Sequence, residues 1–219
     1  MVTGEHVVNL ADALHANRLV AIVRGSDPGA ALQTVLALFE EGVQMVEVSL
    51  TTTGAESVIG KARDALGPTA MLGCGTVVTA GDAARAAGAG AGFVVTPALG
   101  TGIAEARARG LPVIGGAFTP SEIVEAMTRG ADAVKLFPAM LGGTQYLRAL
   151  LEPFPGLPIV PVGGIDASQA RAYLAAGAAA VGVGSPLVGD AASGGSLAGL
   201  RQRAHLFLTA VSDQEPEAT

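Results

Sequence analysis

The sequence predicts an α/β protein, a closed (β/α)8 TIM barrel with an extra helix ahead of its first strand. Three observations carry this. Short apolar runs recur along the whole chain, Ala/Leu-rich segments of helical period separate them, and glycines punctuate the joints. Those glycines are Gly42, Gly67, Gly88, Gly110, Gly130, Gly156 and Gly177. Their spacing of about 20–26 residues is that of a helix–turn–strand unit with short loops. Most fit a helix C′ site, where a positive φ suits glycine. Gly156, after Pro153 and Pro155, reads as a loop residue.

The apolar runs give eight candidate strands: Leu19–Arg24, Val43–Leu50, Ala70–Cys74, Gly92–Thr96, Pro112–Gly115, Ala131–Phe137, Pro158–Val162 and Ala179–Val183. Between them Ala30–Glu41, Ser121–Arg129 and Gln169–Ala176 have helical period. Asp82, Ser121 and Ser168 stand near helix starts as caps or first-turn residues. A closing helix fits Leu197–Ala210, and the extra helix fits Val7–Asn17. Strand–helix units without a break in composition imply a parallel sheet. A closed barrel explains the count best; a doubly wound open sheet is the alternative. No strand is followed by Gly-x-Gly-x-x-Gly, so a dinucleotide site is not expected.

A chain of 219 residues suits one domain over residues 1–219, with a polar, acidic tail over 212–219 expected to fray. The net charge of −6 argues against nucleic acid as a partner. The single Cys74 excludes an intramolecular disulfide, and His6, His15 and His205 form no ligand-spaced cluster with it, so no metal site is expected. No basic stretch followed by an apolar one opens the chain, and no apolar run is long enough to span a bilayer. The expectation is a cytoplasmic protein without a membrane partner.

The chain has two lysines, Lys61 and Lys135. Lys61 fits a solvated helix face. Lys135 interrupts the apolar run Ala131–Phe137. An ionised lysine is costly to bury, so such a group must pair or shed its proton. An amine in a dry pocket is a nucleophile toward carbonyl carbon. The bland alternative is an ion pair with Glu47, although buried pairs often add little net stability.

Functional residues of such a barrel lie at the C-terminal ends of its strands. In order these ends are Arg24, Glu47 with Ser49, Gly75-Thr76, Thr96-Pro97, Gly115-Gly116, Lys135 with Phe137, Gly163-Gly164 and Gly184-Ser185. Alternation puts Met45, Glu47 and Ser49 on one side of the second strand. It puts Ala131, Ala133, Lys135 and Phe137 on one side of the sixth, with Val134 and Leu136 toward the helices. Beside a nucleophilic lysine, Glu47 suits a general acid/base. Arg24 is either a solvated strand end or a clamp on a carboxylate. The glycine pairs after strands seven and eight stand where many such barrels hold phosphate. Asp166 reads as a helix cap, and Cys74 as core.

These residues, in this order, resemble the class I aldolases of 2-keto-3-deoxy-6-phosphogluconate and their phosphogalactonate and 4-hydroxy-2-oxoglutarate relatives. The resemblance rests on Val46-Glu47-Val48-Ser49-Leu50, Leu72-Gly73-Cys74-Gly75-Thr76-Val77, Val95-Thr96-Pro97, Lys135-Leu136-Phe137-Pro138-Ala139, Val162-Gly163-Gly164-Ile165 and Gly184-Ser185. It implies a Schiff base on Lys135, Glu47 as acid/base, Thr76, Thr96 and Pro97 at the keto-acid pocket, and Phe137 beside the lysine. It puts Gly163, Gly164, Gly184 and Ser185 at a phosphate end. It further implies a homotrimer without metal or organic cofactor, acting on a phosphorylated keto acid and pyruvate in Entner–Doudoroff-type carbohydrate metabolism.

Two departures matter. Phosphogluconate-type members often carry Leu-Arg-Thr after the acid/base strand, where this chain has Leu50-Thr51-Thr52; Arg24 is the plausible replacement, as in the phosphogalactonate relatives. They also often carry Thr before the Gly-Gly pair, where this chain has Val162. Gly143-Thr144-Gln145-Tyr146-Leu147 is also closer to the phosphogalactonate branch, so the expected substrate leans that way. Rival expectations are a phosphate-binding barrel enzyme that uses Lys135 electrostatically, and a non-catalytic sugar-phosphate binder.

Overall fold

The computed structural model describes residues 9–212. Its eight strands are β1 (Leu19–Val23), β2 (Met45–Ser49), β3 (Met71–Gly75), β4 (Val94–Val95), β5 (Val113–Ala117), β6 (Ala133–Leu136), β7 (Ile159–Pro161) and β8 (Val181–Val183). They pair in parallel in the order β7-β6-β5-β4-β3-β2-β1-β8. A parallel bridge from Val162 to Gly182 and an Ala179 N–H to Ile159 C=O bond of 3.0 Å join the two ends. The sheet is therefore a nearly closed TIM barrel, and sequential neighbours with β1 beside β8 exclude the open, doubly wound order.

The helices are α1 (Leu10–Asn17), α2 (Pro28–Glu40), α3 (Ala55–Leu66), α4 (Ala80–Gly88), α5 (Gly102–Ala108), α6 (Pro120–Thr128), α7 (Gly143–Leu151), α8 (Ala167–Ala175), α9 (Ser185–Val188) and α10 (Leu197–Val211). Most begin where a side chain can take up free N–H groups. Thr79 with Asp82, Thr119 with Glu122, and Asp166 with Gln169 each form a reciprocal capping box. Both the Asp82 and Asp166 carboxyls lie below their usual range: burial raises Asp82 but the Thr79 N–H, the Arg85 guanidinium and the Val78 N–H together outweigh it, and the Gln169 N–H and then the Ser168 hydroxyl lower Asp166. Ser121 and Ser168 lie in first turns.

Two apolar cores result from the period-two pattern of the strands. One fills the layer between strands and helices and includes Val46, Val48, Val134 and Leu136. The other fills the barrel and includes Val20, Met45, Phe93, Ile114, Ala133 and Val160. Leu10, Ala13 and Leu14 of α1 join this inner core, so the extra helix stoppers the N-terminal end of the barrel. It starts at Leu10, capped by Asn9; Val7 and Val8 lie outside the described residues, as does the tail beyond Ser212.

Three local expectations are corrected. Gly88 ends α4 without a positive φ; Gly90, at φ 85°, makes the turn instead. Ala131 precedes β6 and packs in the helix layer, not on the inner side with Ala133. The fourth strand shrinks to Val94–Val95, although the Thr96 N–H still donates to the Ile114 C=O at 3.0 Å.

A methyl added at Gly88 would meet nothing within 4 Å. Gly88→Ala is expected to raise stability by about 0.5–1 kcal/mol. At Gly116 the added atom would sit 2.3 Å from the Pro97 carbonyl carbon, which is backbone and cannot swing away. Gly116→Ala is expected to lower stability by about 1–3 kcal/mol. Urea unfolding midpoints of the two variants check both signs.

Candidate active site

The strand ends open into a cavity of about 340 Å³. Its wall includes Ile22 and Arg24 of the first strand end, Thr76 after β3 and Pro97 after β4. Lys135 contributes from β6 and Phe137 from just beyond it, Val162, Gly163 and Gly164 from beyond β7, and Gly184 and Ser185 from beyond β8. A second, much smaller cavity of about 10 Å³ lies within the barrel between Glu47 and Lys135, walled by Val20, Ile22, Val95, Ile114, Val160, Val162 and Gly182.

Lys135 is 7% exposed and Glu47 is 2% exposed. They stand on β6 and β2, four places apart in a ring of eight, so they reach inward from opposite walls. Among the described residues Lys135 makes no hydrogen bond or salt bridge; its Nζ lies 5.4 Å from the centre of the Phe137 ring, within cation–π range. The simple ion pair with Glu47 is therefore absent. Burial pushes the Glu47 carboxyl above its usual value, and the positive charges of Lys135 and then Arg24 pull part of the way back. The two groups feel each other without neutralising each other.

Missing side chains make this arrangement possible. A Cβ on Gly75 would lie 2.6 Å from Glu47 Oε1, and one on Gly73 would lie 2.5 Å from the Phe93 ring. The bare inner face of β3 thus admits the Glu47 carboxyl above and Phe93 below. On β5, Gly116 pairs in register with Lys135 and has the Pro97 backbone against it. Ala133 is the small residue one inward step beneath Lys135.

The remaining residues divide clearly. Gly163 and Gly164, at φ 112° and 71°, lie against the Phe137 ring and the Met140 side chain. Their positive φ values disfavour any residue with a Cβ, which leaves backbone facing the cavity. Arg24 is exposed at the mouth. Thr96 lies elsewhere: it is buried, and its Oγ1 accepts a 2.9 Å bond from Gly116 N–H. It supports the strand that carries Gly116 and does not line the large cavity. Sequence reasoning missed Ile22, Pro186, Val188 and Gly189 in the wall. Ile22 was accessible to it, since it alternates with Val20 and Arg24 on one side of β1.

Cys74 faces the helix layer, and burial above all pushes its thiol up to about 12. It is a core residue. No group of three or more His, Cys, Asp or Glu among the described residues is arranged to hold a metal ion. No helix among them is long and apolar enough to cross a membrane.

Comparison with known proteins matches residues 10–195 to the family model for KDPG and KHG aldolase. The 2-dehydro-3-deoxy-phosphogluconate aldolase of Treponema pallidum is 33% identical over 77% of this chain and 81% of its own length. The 2-dehydro-3-deoxy-6-phosphogalactonate aldolase of Escherichia coli K12 is 34% identical over 77% and 83%. A solved native KDPGal structure superposes with a TM-score of 0.83 at 34% identity, over 88% of this chain and 93% of that one. A KDPG aldolase from Legionella pneumophila, solved with pyruvate captured as a covalent carbinolamine, superposes with a TM-score of 0.78 at 27% identity, over 92% and 95%.

The raised Glu47 value has a consequence for stability. The folded chain holds this proton to higher pH than the unfolded chain does, so ionisation of Glu47 opposes folding. That cost is absent below the ordinary value of 4.5 and grows as pH rises through the raised folded value. Glu47→Gln is expected to be more stable than the natural chain at neutral pH, with the gap closing as pH falls toward 4.5. Thermal melts across that range read the sign directly.

Proposed function

Because the chain belongs to the KDPG and KHG aldolase family, and so is a carbon–carbon lyase, we propose that it works through a Schiff base on Lys135. The proposed substrate is 2-dehydro-3-deoxy-6-phosphogalactonate, cleaved reversibly to pyruvate and D-glyceraldehyde 3-phosphate. The observation that supports the mechanism most is a buried lysine amine in the cavity wall with no hydrogen-bond or ion-pair partner among the described residues, facing a carboxyl across the barrel.

In this mechanism the Lys135 amine adds to the C2 ketone as its free base, the carbinolamine hydroxyl takes up a proton and leaves as water, and an iminium ion results. That cation accepts the electrons of the C3–C4 bond. Glu47 takes the proton of the C4 hydroxyl as the bond breaks, the aldehyde departs, and an enamine remains. Protonation at C3 restores the iminium, and water releases pyruvate and the free amine. A carboxyl raised toward neutrality by burial suits both the taking and the return of a proton. The carbinolamine in the Legionella relative is the first covalent species of the same sequence.

Arg24 at the mouth is proposed to hold the substrate carboxylate with Thr76 and Pro97, and the backbone of Gly163, Gly164 and Gly184 with Ser185 to hold the phosphate. Val162, in the cavity wall, favours the galactonate epimer, because an isopropyl group there offers the C4 region no hydrogen bond. The gluconate and 4-hydroxy-2-oxoglutarate substrates form the second reading. It is supported by relatives of both kinds at nearly the same identity, 33% and 34%. A homotrimer is proposed as the working form. It is supported by an apolar patch at the rim, where Met140 is 66% and Leu141 74% exposed. A cytoplasmic, Entner–Doudoroff-type role belongs to the same proposal.

Borohydride reduction with pyruvate, followed by peptide mass spectrometry, is expected to mark Lys135 alone. Lys135→Ala should lose both adduct and turnover while keeping its fold; a near-normal rate would end the Schiff-base reading. In a coupled assay with both epimers, Val162→Thr is expected to shift the galactonate-to-gluconate preference by about ten-fold toward gluconate. An unchanged ratio would remove Val162 from that role.

A further inference from the structure

Ser49, fully buried at the end of β2, takes part in no step described so far. Its Oγ lies 2.7 Å from Thr51 Oγ1 and 2.8 Å from Thr76 Oγ1. It also accepts a longer, 3.3 Å bond from the Thr51 N–H. Thr51 is exposed, whereas Thr76 lines the large cavity. Three hydroxyls therefore run in a chain from the protein surface to the wall of the site. Thr76 also has φ 62°, a left-handed conformation. Residues with a Cβ rarely adopt it. Such a conformation persists where the surroundings over-determine it, and the bond to Ser49 is part of that hold.

Each hydroxyl has one proton. Ser49 can donate to Thr76 or to Thr51, not to both. If it donates to Thr76, then Thr51 donates to Ser49, and the Thr76 proton is free to point into the cavity. If it donates to Thr51, then Thr76 donates to Ser49 and shows the cavity only lone pairs. An anion in the cavity stabilises the first arrangement, because a hydrogen bond to a carboxylate is about twice as strong as a neutral one. Bonds in a chain polarise one another, which strengthens the terminal donor.

We propose that Ser49 is a positioning residue whose donated hydrogen bond turns the Thr76 O–H toward the carboxylate of the bound 2-keto acid. Thr51 is the competing acceptor that keeps the chain reversible. This rests on the keto-acid reading above and deepens it by adding residues that act on the carboxylate through Thr76, without touching it.

The test is the pyruvate concentration that gives half-maximal borohydride trapping on Lys135. Ser49→Ala is expected to raise it about three- to ten-fold, while trapping at saturating pyruvate is retained. Ser49→Cys, which keeps the volume with a weaker donor, moves the same way and serves if the alanine variant does not fold. Thr51→Val changes an exposed residue and leaves Ser49 only Thr76 to donate to, so its value stays at or below that of the natural chain. In a Thr76→Val background, Ser49→Ala has no further effect. A purely structural role predicts instead that both single changes weaken binding and that their effects persist without the Thr76 hydroxyl. Unchanged binding in Ser49→Ala and Ser49→Cys, a raised value in Thr51→Val, or an undiminished penalty in the Thr76→Val background each overturns the proposal. A folded natural chain that forms no adduct overturns the keto-acid reading itself, so the two failures are distinguishable.

Discussion

Two ionisable groups are held inside an apolar barrel on opposite walls, and much of the site follows from that separation. Glu47 on β2 and Lys135 on β6 are both removed from water, yet neither neutralises the other by contact. Burial raises the Glu47 carboxyl, and the facing lysine moderates the rise. Had the two met as a hydrogen-bonded pair, each would have been satisfied and chemically idle. At a distance each keeps bonding capacity that a hydrogen-bonded pair would have used up, and only a cavity of about 10 Å³ lies between them.

Side-chain size along the barrel axis sustains this arrangement. The lower interior is filled by Val20, Met45, Phe93, Ile114 and Val160 and closed by α1. That floor is dry and tightly packed. Toward the C-terminal ends the inward positions shrink to Gly73 and Gly75 on β3, Gly116 on β5, and Gly182 on β8. Each of these is occupied by a neighbour: the Phe93 ring, the Glu47 carboxyl, the Pro97 backbone and the Val162 side chain respectively. The glycines therefore serve packing as much as turning. They let large groups from adjacent strands lean across the barrel and leave an open mouth above a sealed base.

Much of this was legible along the chain. Eight apolar runs, their period-two alternation and the capping residues are local patterns, and the strands, the inward face of β2 and the helix starts follow them closely. Lys135 stood out because a charge within an apolar run has few physical explanations. Other features were not legible. Thr96 looks like any strand-end threonine, but its hydroxyl is committed to Gly116 N–H. Gly88 and Gly90 are equally good turn formers by type, and only the second takes the positive φ. Ser49 appeared only as the neighbour of Glu47 in the alternation, with no sign of its bonds to Thr51 and Thr76.

The sequence by itself determined the barrel, the strand ends that line the cavity, and the lysine in its wall. Each of these is written in spacing between near neighbours, in period two, period 3.6 and glycine punctuation. Only the tertiary structure decided that Glu47 and Lys135 face without touching, that Thr96 turns away, and that Ser49 links the surface to the cavity. These relations join residues from tens of positions to nearly a hundred apart, and they exist only once strand register and ring closure have set the distances across the barrel.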